Sequence, residues 1–222
     1  MDQVGDLLNR HRFYNNIDGV GELSAGFMLL GFALLQWLQV HAPEGAIWHR
    51  MYVLILYVGG MCAAIHYGTK AIKKHMTYPR TGFVECRKSE RWRAAAIAAP
   101  LGALVSAGVA VALWRHWDIS AAVSLFGLAF AACYAWGIAR AVRWKWVIVW
   151  AIALESFVIA FLPASVFGAL AGDSWVTHPV RTKLVGAWLL SLMSYGAMLL
   201  ISGSISLWLY LRHTQAPVQE EQ

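Results

Sequence analysis

The sequence predicts an all-α fold: a polytopic membrane helix bundle of about six transmembrane helices, with N- and C-termini cytoplasmic. Three observations predict it. The 222 residues are 59% hydrophobic and only 14% charged, with a mean hydropathy of +0.53; soluble domains carry roughly 25% charged residues. Six apolar runs are long enough to cross about 30 Å of hydrocarbon as helices. Fourteen of the eighteen Lys and Arg fall on one side of those runs, as in the charge bias of cytoplasmic loops.

The first segment, 1–19, is cytoplasmic and holds Arg10 and Arg12. It has no short apolar stretch with a small-residue cleavage site, so the first run is expected to insert uncleaved. That run is about Val20 to Val40. Asp18 suits the cap position before it, and Glu22 then falls in the first turn, where the helix dipole favours an acid. No further role is needed to account for Glu22.

The second run, about Met51 to Tyr67, continues as helix toward Lys74. The third is about Ala94 to Trp114 and the fourth about Ile119 to Ala139. The fifth is about Trp146 to Leu170, with a kink expected at Pro163. The sixth, about Leu184 to Leu211, is long enough to tilt or project beyond the bilayer. The transmembrane domain is thus 20–211. A polar tail, 212–222, is expected to be disordered. None of the runs has the period-2 alternation of a membrane barrel, and no internal repeat is visible. The twelve Trp cluster beside run ends, as an interfacial belt does.

The net charge of +6 lies beside apolar segments and writes topology, so no nucleic-acid partner is inferred. Cys62, Cys86 and Cys133 have no metal-ligand spacing and read as free thiols. His66 has no second His at its depth, and His41, His49, His116 and His178 match no metal pattern. No cofactor and no metal are expected. Phosphate loops, GxSxG and HExxH are absent from the sequence, so the reading leans away from an enzyme.

Two groups of residues are candidates for binding. Glu155 lies well inside the fifth run, nine residues from its start, near the bilayer centre. An acid there is costly and must face the bundle interior, find a partner or carry a proton. On the sixth run Ser191 and Tyr195 share a face, with Ser194, Ser202, Ser204 and Ser206 nearby. Glu155, Ser191 and Tyr195 together would line a small polar cavity. A cation or proton site and simple helix-to-helix bonding both fit them.

The second group lies in the one long polar interruption, 70–93, which holds eight Lys and Arg. Pro79 and Gly82 suit a tight turn, flanked by Tyr78 and Phe83 with Arg80 between. A solvated basic loop touching anionic lipid headgroups, a docking surface for a cytoplasmic protein, and an anion site on Arg80 are the competing readings. Tyr78-Pro79-Arg80-Thr81-Gly82-Phe83-Val84, after a basic helix end, resembles the cytoplasmic segment of small uncharacterised bacterial multi-pass membrane proteins. The likeness spans about ten residues. It implies a bacterial inner (plasma) membrane location and carries no catalytic residue.

The leading expectation is therefore a non-enzymatic accessory or partner-binding membrane component, docking through 70–93. The alternative is a small oligomeric transporter or channel that uses Glu155. Membrane lipids, a cytoplasmic protein and further copies of the chain are the expected partners.

Overall fold

A computed structural model describes residues 18–43, 45–77, 111, 119–136, 142–171 and 179–213. Those residues form helices and contain no strand. Six helices of eight residues or more are numbered in chain order. They are α1 (Val20–His41), α2 (Met51–Ile72), α3 (Ile119–Tyr134), α4 (Trp146–Phe161), α5 (Ala164–Ala171) and α6 (Pro179–His213). Three are long and apolar enough to cross a membrane: Val20–His41, Met51–Thr77 and Val185–His213. The expected run Ala94–Trp114 lies outside the described residues, apart from Val111. The loop core Tyr78–Phe83 and the tail from 214 onward lie outside them; Arg212 and His213, expected at the start of a disordered tail, are the last two residues of α6.

α1 starts at Gly19, whose φ of 70° is left-handed and favours glycine. Asp18 helps from one position earlier than a cap residue, accepting the Val20 N–H at 3.1 Å through Oδ1. α2 does continue past Tyr67, and it ends in a π-turn, Lys73–Thr77. One wider turn rotates Thr77 inward, where it is buried, while Lys74, His75 and Met76 stay exposed.

The fifth run is not one kinked helix. It breaks into α4 and α5 at Leu162 and Pro163, with Leu162 extended at ψ 137°. Proline lacks an N–H and disfavours helical geometry in the residue before it, so the chain re-enters helix only at Ala164.

α6 is the central post. α1 packs along it most extensively, and α3, α4 and α5 also touch it. The α1–α6 seam is antiparallel and set by glycine. A Cβ on Gly26 would sit 2.9 Å from the Gly196 carbonyl oxygen, and one on Gly203 would sit 2.8 Å from that of Gly19. Small residues let two backbones meet this closely inside a membrane. The core joins α3, α4 and α6 through Ala131, Tyr134, Val149, Ile152, Tyr195 and Leu199. A second cluster, Ile159, Phe167 and Ala187, ties α5 to α4 and α6. Trp37, Trp136, Trp146, Trp150 and Trp208 are exposed on the outside near helix ends. α2 is peripheral: it packs mainly on α1, and none of its residues Met51–Ile72 is buried among the described residues.

Candidate functional site

The start of α1, the end of α2, the end of α3, the approach to α4 and the last third of α6 meet at one end of the bundle. The side chains gathered there are polar and buried. Lys145 lies in the 3-10 turn Arg143–Lys145 that leads into α4, and it is 0% exposed; Glu22, one turn into α1, is 1% exposed. The Lys145 ammonium donates to Glu22 Oε2 at 2.9 Å. Ser206 donates to the same oxygen at 3.3 Å. The other oxygen, Oε1, accepts from the Tyr134 hydroxyl and from Ser202 at 3.2 Å. Tyr134 and Ser202 are themselves 3.1 Å apart. One carboxylate thus binds α3, the α4 approach and α6 to α1. Removing a charged pair from water costs several kcal/mol per ion, and only such complete bonding offsets it.

A second ion pair sits beside the first. Asp18 Oδ2 is 3.6 Å from Lys73 in the π-turn. Burial pushes the Asp18 carboxyl above its ordinary range, and the Lys73 charge pulls it partly back. Next along the chain, Thr77 is held from the far side: the Tyr210 hydroxyl donates to its carbonyl at 3.1 Å. The point where the chain leaves α2 for Tyr78 is therefore fixed to both α1 and α6.

This end corrects one expectation. Glu22 is not merely an acid favoured by a helix dipole, since it faces the interior and holds a lysine. Lys145, one of the charges counted on the side of the termini, is sealed in the bundle. The usable signal was an acid and a lysine, each one turn from the same side of an apolar run. Nothing in the sequence pairs positions separated by 123 residues.

The predicted Glu155 site forms in part. Glu155 faces α6, but its partner is Ser194, which donates to Oε1. Its other oxygen, Oε2, is buried and has no hydrogen-bond partner among the described residues. Ser191 and Tyr195 do share a buried face of α6. Tyr195, however, pairs with Ser156 of α4 at 2.6 Å, and Ser191 donates to the Ala187 carbonyl at 2.9 Å. Helical spacing explains the swap, because Ser194 lies about 100° around α6 from Tyr195 and meets the next residue back on α4. Gly127 of α3 leaves the room for Ser156 and Tyr195; a Cβ there would collide with both hydroxyls. Ser204 points outward and takes no part.

Tyr78, Arg80 and Phe83 lie outside the described residues. No group of three His, Cys, Asp or Glu able to hold a metal occurs among the described residues. His41 and His49 instead bond the backbone carbonyls of Trp37 and Gln39 at 2.9 and 2.8 Å.

No protein-family model, curated protein or solved structure matches the chain.

Proposed function

We propose that the chain is a six-crossing protein of a bacterial inner membrane, with cytoplasmic termini, that acts without catalysis as a partner-binding membrane component. Its contact surface is the segment 70–93, centred on Tyr78, Arg80 and Phe83. The observation that carries this reading is the anchoring of Thr77. A loop that only marks topology needs no fixed departure point. Here the residue before Tyr78 is buried and bonded to Tyr210, and Lys73 just ahead of it pairs with Asp18. A fixed root lowers the entropy lost when a loop is ordered against a partner. Six crossings are supported by direction: α2 ends at the polar end, where Thr77 meets Tyr210. α3 reaches that end only at its C-terminus, at Tyr134. The apolar run Ala94–Trp114 lies between those two helices in the sequence.

The test places a photo-crosslinking residue at Phe83 in the full chain within native membranes. A discrete adduct with one soluble protein is expected, and Arg80→Ala should abolish it while leaving thermal stability unchanged. The reading is refuted by the absence of an adduct, or by an adduct indifferent to Arg80.

One observation favours a second reading, transport of protons or small cations: the unpartnered, buried Oε2 of Glu155. A bilayer interior makes such an oxygen costly unless it has use or a proton. On this reading Glu155→Gln removes pH-driven flux in proteoliposomes. Flux equal in variant and wild type, or none in either, eliminates it.

A further inference from the structure

A groove of about 400 Å³ runs between α1 and α2. Phe27 and Gly31 line it from α1; Met61, Ala64, Gly68 and Ile72 line it from α2. Its few polar groups are satisfied within the protein. Ser24 donates to the Val20 carbonyl at 2.8 Å, and the Thr69 hydroxyl lies 2.5 Å from Ser24 Oγ, positioned to donate to it. Lower down, Tyr57 donates to the Gly31 carbonyl at 3.0 Å. The surface on offer is therefore hydrocarbon, with no polar atom seeking a partner.

We infer that this groove holds one acyl chain of an anionic phospholipid, with the phosphate at the Lys70–Lys74 end of α2. The inference rests on the membrane reading and not on the docking role. The groove runs about 22 Å at 1.5 Å per residue from Tyr57 to Ile72, as a furrow between two neighbouring helices. An extended chain is thin enough. That length starts at the polar end and passes a little beyond one leaflet of about 15 Å. Charge then selects the headgroup. Lys70, Lys73 and Lys74 stand at the height of Ile72, and α2 carries no acid from Met51 to Thr77. The nearby acid on α1, Asp18, is committed to Lys73. Basic residues at this depth attract anionic lipid.

Glycine makes the test clean. A Cβ added at Gly68 or at Gly59 meets nothing within 4 Å, but only Gly68 lines the groove. The full chain, purified in detergent, is mixed with dioleoyl phosphatidylglycerol and dioleoyl phosphatidylcholine and read by native mass spectrometry. The wild type should retain one phosphatidylglycerol in preference to phosphatidylcholine. Gly68→Leu should lose that adduct, and Gly59→Leu, with the same added bulk on the same helix, should keep it. Lys70→Gln with Lys74→Gln should still retain lipid but lose the preference. The site is disproved if Gly68→Leu retains phosphatidylglycerol like the wild type, or if the wild type retains none. Equal retention of the two lipids by the wild type overturns the anionic assignment. Recovery of the protein in the soluble fraction would instead defeat the membrane reading beneath it.

Discussion

Glu22 accepts four hydrogen bonds from three other parts of the chain, and that makes Lys145 irreplaceable alone but not jointly. Removing Lys145 leaves a carboxylate sealed among Tyr134, Ser202 and Ser206 without its counter-charge. A broken buried pair costs about 3–5 kcal/mol, because the stranded charge keeps its desolvation penalty. Lys145→Met should therefore lower unfolding stability in micelles by that order. Glu22→Gln added to it should recover most of the loss, since an amide carries no charge to strand. A double variant no better than Lys145→Met would show that the pair's contribution is packing. At this scale the sequence was least legible. Glu155 was found because an acid inside a long apolar run stands out. Glu22 and Lys145 sit near run ends, where acids and lysines have ordinary explanations, and only the fold brings them together. Ser194 was passed over in favour of Ser191 and Tyr195 because a shared helix face does not say which neighbour it meets.

Between elements, the α1–α6 seam decides the geometry of everything at the polar end. Gly19 and Gly26 are seven apart, as are Gly196 and Gly203, and the two pairs meet in antiparallel register. Gly196 and Gly203 are small residues of the kind that pack helices together in a membrane. Their partners on α1 were not legible in the sequence, because register between distant helices is a tertiary property. A Cβ on Gly196 lands 2.8 Å from Leu30 Cγ and 3.2 Å from the Gly26 carbonyl. Gly196→Val must push α1 outward and carry Glu22 away from Lys145. It should cost about 1–3 kcal/mol, the usual range for overpacking. Ala197→Val, one residue on and exposed, should stay within about 0.5 kcal/mol. Equilibrium unfolding of the two variants side by side checks the contrast; equal effects would mean the seam has slack. Pro163, by comparison, acts through its own backbone, so its disruption was legible locally and only its extent was underestimated.

Across the whole molecule, the proposed sidedness rests on loop charge, and the described helix ends can be compared with it. Charge alone assigns Arg10, Arg12, the 70–93 segment, Arg140, Arg143, Lys145 and Arg212 to one side. The structure independently gathers the α1 start, the α2 end, the α3 end and the α4 approach at one end of the bundle, with Tyr210 of α6 beside them. Charge bias reflects how a chain inserts, whereas the ion pairs reflect how it packs, so labelling from each side of the membrane is the test of the proposed topology. Six crossings then require the Ala42–Arg50 and Ala171–Lys183 connections to share the opposite side. In a background with Cys62, Cys86 and Cys133 replaced, a single cysteine at Ile47 or Ser174 should react with a membrane-impermeant maleimide on intact spheroplasts. One at the exposed Arg143 should react only after permeabilisation. Labelling of Ile47 and Ser174 from opposite faces would break the even count of crossings between them. Labelling of Arg143 together with Ile47 would place the polar end and the α1–α2 turn on one side, and no bundle with α1 as a crossing survives that result.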